Sequence, residues 1–106
     1  MATPRIALDR EKIAAFCRKW HITELALFGS VLRDDFRPDS DVDVLVAFAP
    51  DYNVDFPSFL DMKEELEVLF GRPVDLLTKR SVEASRNPIR RHRILGSAQS
   101  IYDAAA

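Results

Sequence analysis

The sequence predicts an α/β fold. Two observations carry this: apolar stripes with helical spacing alternate along the chain with short strand-like runs, and turn residues punctuate the joins. A length of 106 residues at 47% hydrophobic composition suits one packed core, so residues 1–106 are expected to form a single domain. Fifteen Lys and Arg against 17 Asp and Glu leave a net charge of −2, which argues against a dedicated nucleic-acid binder. The lone cysteine, Cys17, excludes an intrachain disulfide framework and favours a reducing compartment. No apolar run is long enough to span a membrane, and the opening MATPRIALDR lacks a signal-peptide core. The expectation is a cytoplasmic protein.

Asp9 is placed to cap a first helix whose apolar residues Ile13, Phe16, Cys17 and Trp20 fall on one face. Leu25 to Phe28 is a short apolar run ending at Gly29, suited to a buried strand. Ser30 to about Asp35 suits a short helix before the turn Arg37-Pro38-Asp39-Ser40. Val42, Val44 and Val46 alternate with Asp41, Asp43 and Leu45, marking a strand to about Phe48. After the loop Ala49 to Asn53, a long helix is expected from near Ser58 to Phe70. Its buried stripe is Phe59, Met62, Leu66 and Leu69, and Gly71 with Pro73 stops it. Val74 to Leu77 forms a third strand. Asn87-Pro88 is an N-cap and first-turn pair for a last helix that Gly96 is expected to end. Ser100-Ile101-Tyr102 then either adds a strand or packs the tail. The spacing from Phe28 to Asp41 leaves the direction of the second strand open.

The small net charge conceals segregation. Residues 34–67 carry eleven acidic and two basic side chains, whereas residues 79–106 carry two acidic and six basic. Most are expected on solvated faces, so the motifs decide. Gly29-Ser30 closes a strand and opens a helix, so backbone N–H groups face outward with the Ser30 hydroxyl beside them, an arrangement suited to phosphate. Ten residues separate Ser30 from Asp41, and Asp43 follows on the same side of the strand. Carboxylates roughly 6.5–7 Å apart along a strand repel unless a cation lies between them. Hard oxygen donors at that spacing suit one or two Mg²⁺ ions completed by phosphate and water. A calcium loop beginning at Asp39 fails, because Val44 stands where glycine is needed and Pro50 where glutamate is needed. Asp75, inside the apolar run Val74-Asp75-Leu76-Leu77, is a third carboxylate suited to meeting the first two across neighbouring strands.

Gly29-Ser30, ten residues, Asp41-x-Asp43 and a later strand aspartate, Asp75, together resemble the nucleotidyltransferase domain of the DNA polymerase β superfamily. The short chain and the ending SRNPIRRHRILGSAQSIYDA look most like the minimal nucleotidyltransferase antitoxins, which pair with a small helical HEPN-type ribonuclease toxin. The resemblance implies a mixed β-sheet with helices packed on it. It also implies that Gly29 and Ser30 hold the β and γ phosphates of ATP, and that Asp41 and Asp43 bind two Mg²⁺ ions. Asp75 would complete the metal that activates the acceptor hydroxyl. In that family the acceptor is a tyrosine of the partner toxin, which AMP addition silences. Arg33 either meets phosphate, joining the nucleotide-binding set, or pairs with Asp34 or Asp35. Asp34 replaces a glycine found in many family members, which changes the helix near the phosphate turn.

Two other functions compete: a non-catalytic antitoxin acting by binding alone, and a transferase acting on RNA or a small molecule. Nucleic acid is disfavoured as a direct substrate, since little chain remains to build an acceptor site. The basic run Arg86, Arg90, Arg91, His92 and Arg93 contacts triphosphate, RNA or an acidic partner, or is simply solvated. His21 and His92 lack metal-ligand spacing, while Cys17, Phe56, Phe59 and Phe70 are expected in the core.

Overall fold

The computed structural model describes residues 8–32 and 40–104. Asp9 accepts a hydrogen bond from the Lys12 amide at 3.1 Å and starts α1, Arg10–Lys19. The 3.6-residue period then buries Ile13, Phe16 and Cys17, while Trp20 sits half-buried at the C-cap. His21, in the left-handed region at φ 59°, turns the chain into β1, Ile22–Phe28. A 3₁₀ turn, Gly29–Leu32, follows. The rest of the expected short helix lies outside the described residues, as do Arg33 and Asp34.

β2, Val42–Phe48, returns antiparallel to β1. α2, Phe56–Phe70, then carries the chain to β3, Val74–Thr78, which lies parallel to β2. Asp55 caps α2 by accepting the Ser58 amide at 2.8 Å, and Gly71, at φ 68°, ends it in the left-handed conformation that glycine tolerates. The last segments are α3, Lys79–Glu83, α4, Pro88–Ser97, and β4, Gln99–Asp103, which pairs antiparallel with the other edge of β1. The sheet order is β3-β2-β1-β4, a mixed sheet as the family resemblance implies.

The two faces of the sheet are covered unequally. Val42, Val44, Val46, Val74 and Leu76 point toward α1 and α2 and join Ile13, Cys17, Met62 and Leu66 in the main core. Their alternates, Ala26, Phe28 and Leu45, pack with Val82 of α3 and Ile94 of α4 in a smaller second cluster. Among the described residues, this second face has the thinner cover. No described helix is long and apolar enough to cross a membrane.

Three expectations need correction. Phe56 is not in the core: it is 72% exposed, because the helical phase that buries Met62 and Leu66 turns it outward. Gly96 does not end α4, which runs on to Ser97 and is capped by the Ala98 amide bonding to the Ile94 carbonyl at 3.0 Å. Ile94 anchors this last turn in the second cluster, which offsets the helix-weakening effect of glycine. Finally, α3 was not expected; Thr78 starts it by accepting the Ser81 amide at 3.1 Å.

Candidate active site

Strand alternation decides where the carboxylates go. Because Val42 and Val44 enter the main core, Asp43 between them projects onto the opposite, thinly covered face. The same rule applied to Val74 and Leu76 sends Asp75 to that face. The parallel register then pairs Asp43 directly with Asp75, while the antiparallel register places Phe28 on the other side of Asp43. Adjacent strands lie about 4.8 Å apart, so the two carboxylates occupy neighbouring positions at one sheet end. Asp41, one residue before β2, has the same parity as Asp43. Asp43 is half-buried, and Asp41 and Asp75 are exposed.

Backbone bonds fix this end of the sheet. The Val42 amide donates to the Pro73 carbonyl at 2.9 Å, holding the starts of β2 and β3 together. The Val74 amide donates to the Glu67 carboxylate, also at 2.9 Å, and Lys63 pairs with the same oxygen at 3.2 Å. These contacts hold the Glu67 carboxyl below its ordinary range: the Val74 amide contributes most, followed by Lys63. No motif in the sequence marks Glu67, since its partner is an amide exposed only by the turn after α2.

Gly29 brings the turn after β1 against the Asp43 carboxylate. Its φ is +74°, and a Cβ there would overlap Asp43 Oδ2 and lie 3.2 Å from Asp43 Cγ. Glycine at this position therefore serves both the turn and the close approach of the Asp43 side chain. Beside it opens a groove of about 440 Å³ lined by Phe28, Gly29, Arg93, Ile94 and Ser97. Two other hollows lie elsewhere. One of about 800 Å³ runs between α1 and α2, on the far face of the sheet. Another of about 450 Å³ sits past the C-terminal ends of β2 and β3, by Tyr52 and Arg80.

The structure thus brings Asp43, Asp75 and Gly29 together, with Ser30 next along the turn and Asp41 just ahead of β2. Arg33 lies outside the described residues. Among the described residues, no three His, Cys, Asp or Glu side chains converge into a ready-made metal cluster. The donor set nevertheless fits magnesium, which takes hard oxygen ligands and is commonly held by one or two carboxylates plus substrate phosphates.

Comparison with known proteins gives the same direction. A family model for the nucleotidyltransferase domain matches residues 10–99. Protein adenylyltransferase MntA of Thermococcus cleftensis is 38% identical over 69 residues, covering 62% of this chain. The chain spans 65% of that relative's length, just under two thirds. A Methanocaldococcus jannaschii protein, named as a candidate protein adenylyltransferase, is 33% identical over 95 residues, covering 87% of this chain and 92% of the relative. Among solved structures, a toxin–antitoxin with AMP-PNP matches with a TM-score of 0.69 at 20% identity, covering 91% of this chain and 74% of that one. A tri-AMPylated Shewanella oneidensis HEPN toxin in complex with its MNT antitoxin matches with a TM-score of 0.61 at 20% identity, covering 89% and 69%. At that identity the two structures speak for the fold, whereas the family model spans most of the sequence. The chain belongs to the nucleotidyltransferase domain family.

Proposed function

We propose that this chain is the antitoxin of a toxin–antitoxin pair and transfers AMP from ATP to a tyrosine hydroxyl of a HEPN-type ribonuclease toxin. The observation that carries the reading is the pairing of Asp43 with Asp75 across parallel strands, with the Gly29 turn packed against Asp43. The relatives named as protein adenylyltransferases, and the similar folds crystallised with AMP-PNP or with an AMPylated toxin, support it.

In this reading the backbone amides at Gly29 and Ser30 receive the β and γ phosphates, with the Ser30 hydroxyl and Arg33 as further donors. Asp41, Asp43 and Asp75 would hold Mg²⁺, as a pair of ions. Magnesium held there would offset the triphosphate's charge and stabilise the entering and leaving oxygens. Asp75, the most outward of the paired carboxylates, faces the acceptor and takes the proton from its hydroxyl. The acceptor oxygen attacks the α-phosphorus in line, the bond from that phosphorus to the α–β bridging oxygen breaks, and pyrophosphate leaves. In this reading the second substrate is a folded partner whose tyrosine is presented to the Asp43–Asp75 face.

The test is to incubate the chain and a candidate HEPN-type toxin with ATP and Mg²⁺, then weigh the toxin by mass spectrometry. Added AMP on a tyrosine, lost in Asp41→Asn and Asp43→Asn, is the expected result. Undiminished addition in both variants refutes the assignment. If those variants still neutralise the toxin in cells, protection rests on binding instead of transfer.

A further inference from the structure

We propose that Arg93 is a further nucleotide-binding residue, gripping the β and γ phosphates in the groove it shares with Gly29; the proposal rests on the nucleotidyl-transfer reading above. The basic run from Arg86 to Arg93 looks uniform in the sequence but divides in the structure. Arg91 is committed to the fold, donating to the Ser85 carbonyl at 3.0 Å ahead of α4. Arg86 and Arg90 are exposed and do not line the groove beside Gly29. Arg93 does, together with Phe28, Ile94 and Ser97.

Topology explains the selection. Asn87 caps α4 by accepting the Ile89 and Arg90 amides, each at 3.1 Å, which sets the start of the helix. Ile94 inserts into the second cluster with Phe28 and Val82, which sets its rotation. β4 then pairs with β1 so that Gln99 lies opposite Leu27, two residues before Gly29. The last turn of α4 is therefore tied beside the end of β1, and Arg93, next to the buried Ile94, is delivered to the groove. Ser97 reinforces this turn, its hydroxyl donating to the Arg93 carbonyl at 2.6 Å.

The chemistry suits the position. A triphosphate carries several negative charges, and a fixed positive charge beside it favours its binding. A guanidinium offers a planar fork of donors that matches phosphate oxygens, held here on a helix instead of a loop. Placed by the Gly29 turn, its charge acts on the phosphates that depart as pyrophosphate, not on the nucleoside. Arg93 thus favours triphosphate over monophosphate.

Titration calorimetry of the full chain with AMP-PNP, pyrophosphate and AMP tests this, using Arg93→Ala, Arg93→Lys and Arg90→Ala. Arg93→Ala is expected to weaken AMP-PNP and pyrophosphate binding by about tenfold or more, the usual scale for one charge-assisted contact, and to leave AMP nearly unchanged. Arg93→Lys recovers part of the loss because charge remains without the fork, and Arg90→Ala stays at the wild-type affinity. Unchanged AMP-PNP binding in Arg93→Ala overturns the proposal, as does an equal loss in Arg90→Ala, which would indicate a general field. An equal loss for AMP also overturns it. If the wild-type chain binds none of the probes, the nucleotidyl-transfer reading falls with it; if the wild type binds and only the Arg93 variants are silent, that reading stands.

Discussion

Replacing Gly29 with alanine probes the contact on which the site geometry depends. Two glycines share nearly the same φ, Gly29 at +74° and Gly71 at +68°, but differ in surroundings. A Cβ at Gly71 meets nothing within 4 Å, whereas one at Gly29 overlaps the Asp43 carboxylate. Both Gly→Ala variants bear the cost of a left-handed alanine, about 1–2 kcal/mol, partly offset by a stiffer unfolded chain. Only Gly29→Ala must also turn Asp43 out of its position, which adds about 1 kcal/mol on the scale of a displaced rotamer. For a chain of this size, 1 kcal/mol corresponds to about 4–8 °C in Tm, so Gly29→Ala should melt several degrees below Gly71→Ala. AMP transfer should separate them further, with Gly71→Ala near wild type and Gly29→Ala reduced at least tenfold by the loss of a correctly placed Asp43. Thermal melts and a transfer assay on the same preparations measure both. Equal Tm values together with wild-type transfer in Gly29→Ala would refute the reasoning.

Two further outcomes follow from side chains that support the site. The Glu67 carboxyl lies below its ordinary value of 4.5 in the native state, so its stabilising bond to the Val74 amide is complete above that pH and disappears as pH falls through the lowered native value. Glu67→Gln should therefore unfold at lower urea than wild type near neutral pH, with the gap closing on acidification; a gap that is constant with pH would contradict this. Cys17 is fully buried and its thiol is pushed up to about 12 by that burial. A thiol reagent at mildly alkaline pH should modify it only as fast as the chain opens, and rapid labelling of the native protein would show the α1 core to be misassigned.

The sequence was most readable where local chemistry determines local structure. Asp9, the Ile13–Phe16–Cys17 stripe and Gly71 act within a turn or two of their own positions, and their helices form as expected. Asn87-Pro88 likewise starts α4. The alternation around Asp43 was equally legible, because a period of two fixes which face a side chain takes before any partner strand is known. Tertiary placement was not. α3 has five residues, too few to show a period, and Phe56 lies where the helix phase, not hydrophobicity, decides exposure. Gly96 reads as a stop only if Ile94 beside it is not already anchored. The direction of β2 relative to β1 could not be had from loop length, and the pairing of Asp43 with Asp75 depends on the parallel register across β2 and β3. Arg93 stood among several equivalent cations until β4 tied the end of α4 to β1.

The most direct test of the central claim follows the phosphorus atoms of ATP. The chain is incubated with Mg²⁺, a candidate HEPN-type toxin and ATP labelled either at the α or at the γ phosphate. Nucleotidyl transfer at the Asp43–Asp75 site puts the α label on the partner and releases the γ label as pyrophosphate. A partner that acquires the γ label, or neither label while remaining bound to the chain, would contradict the account.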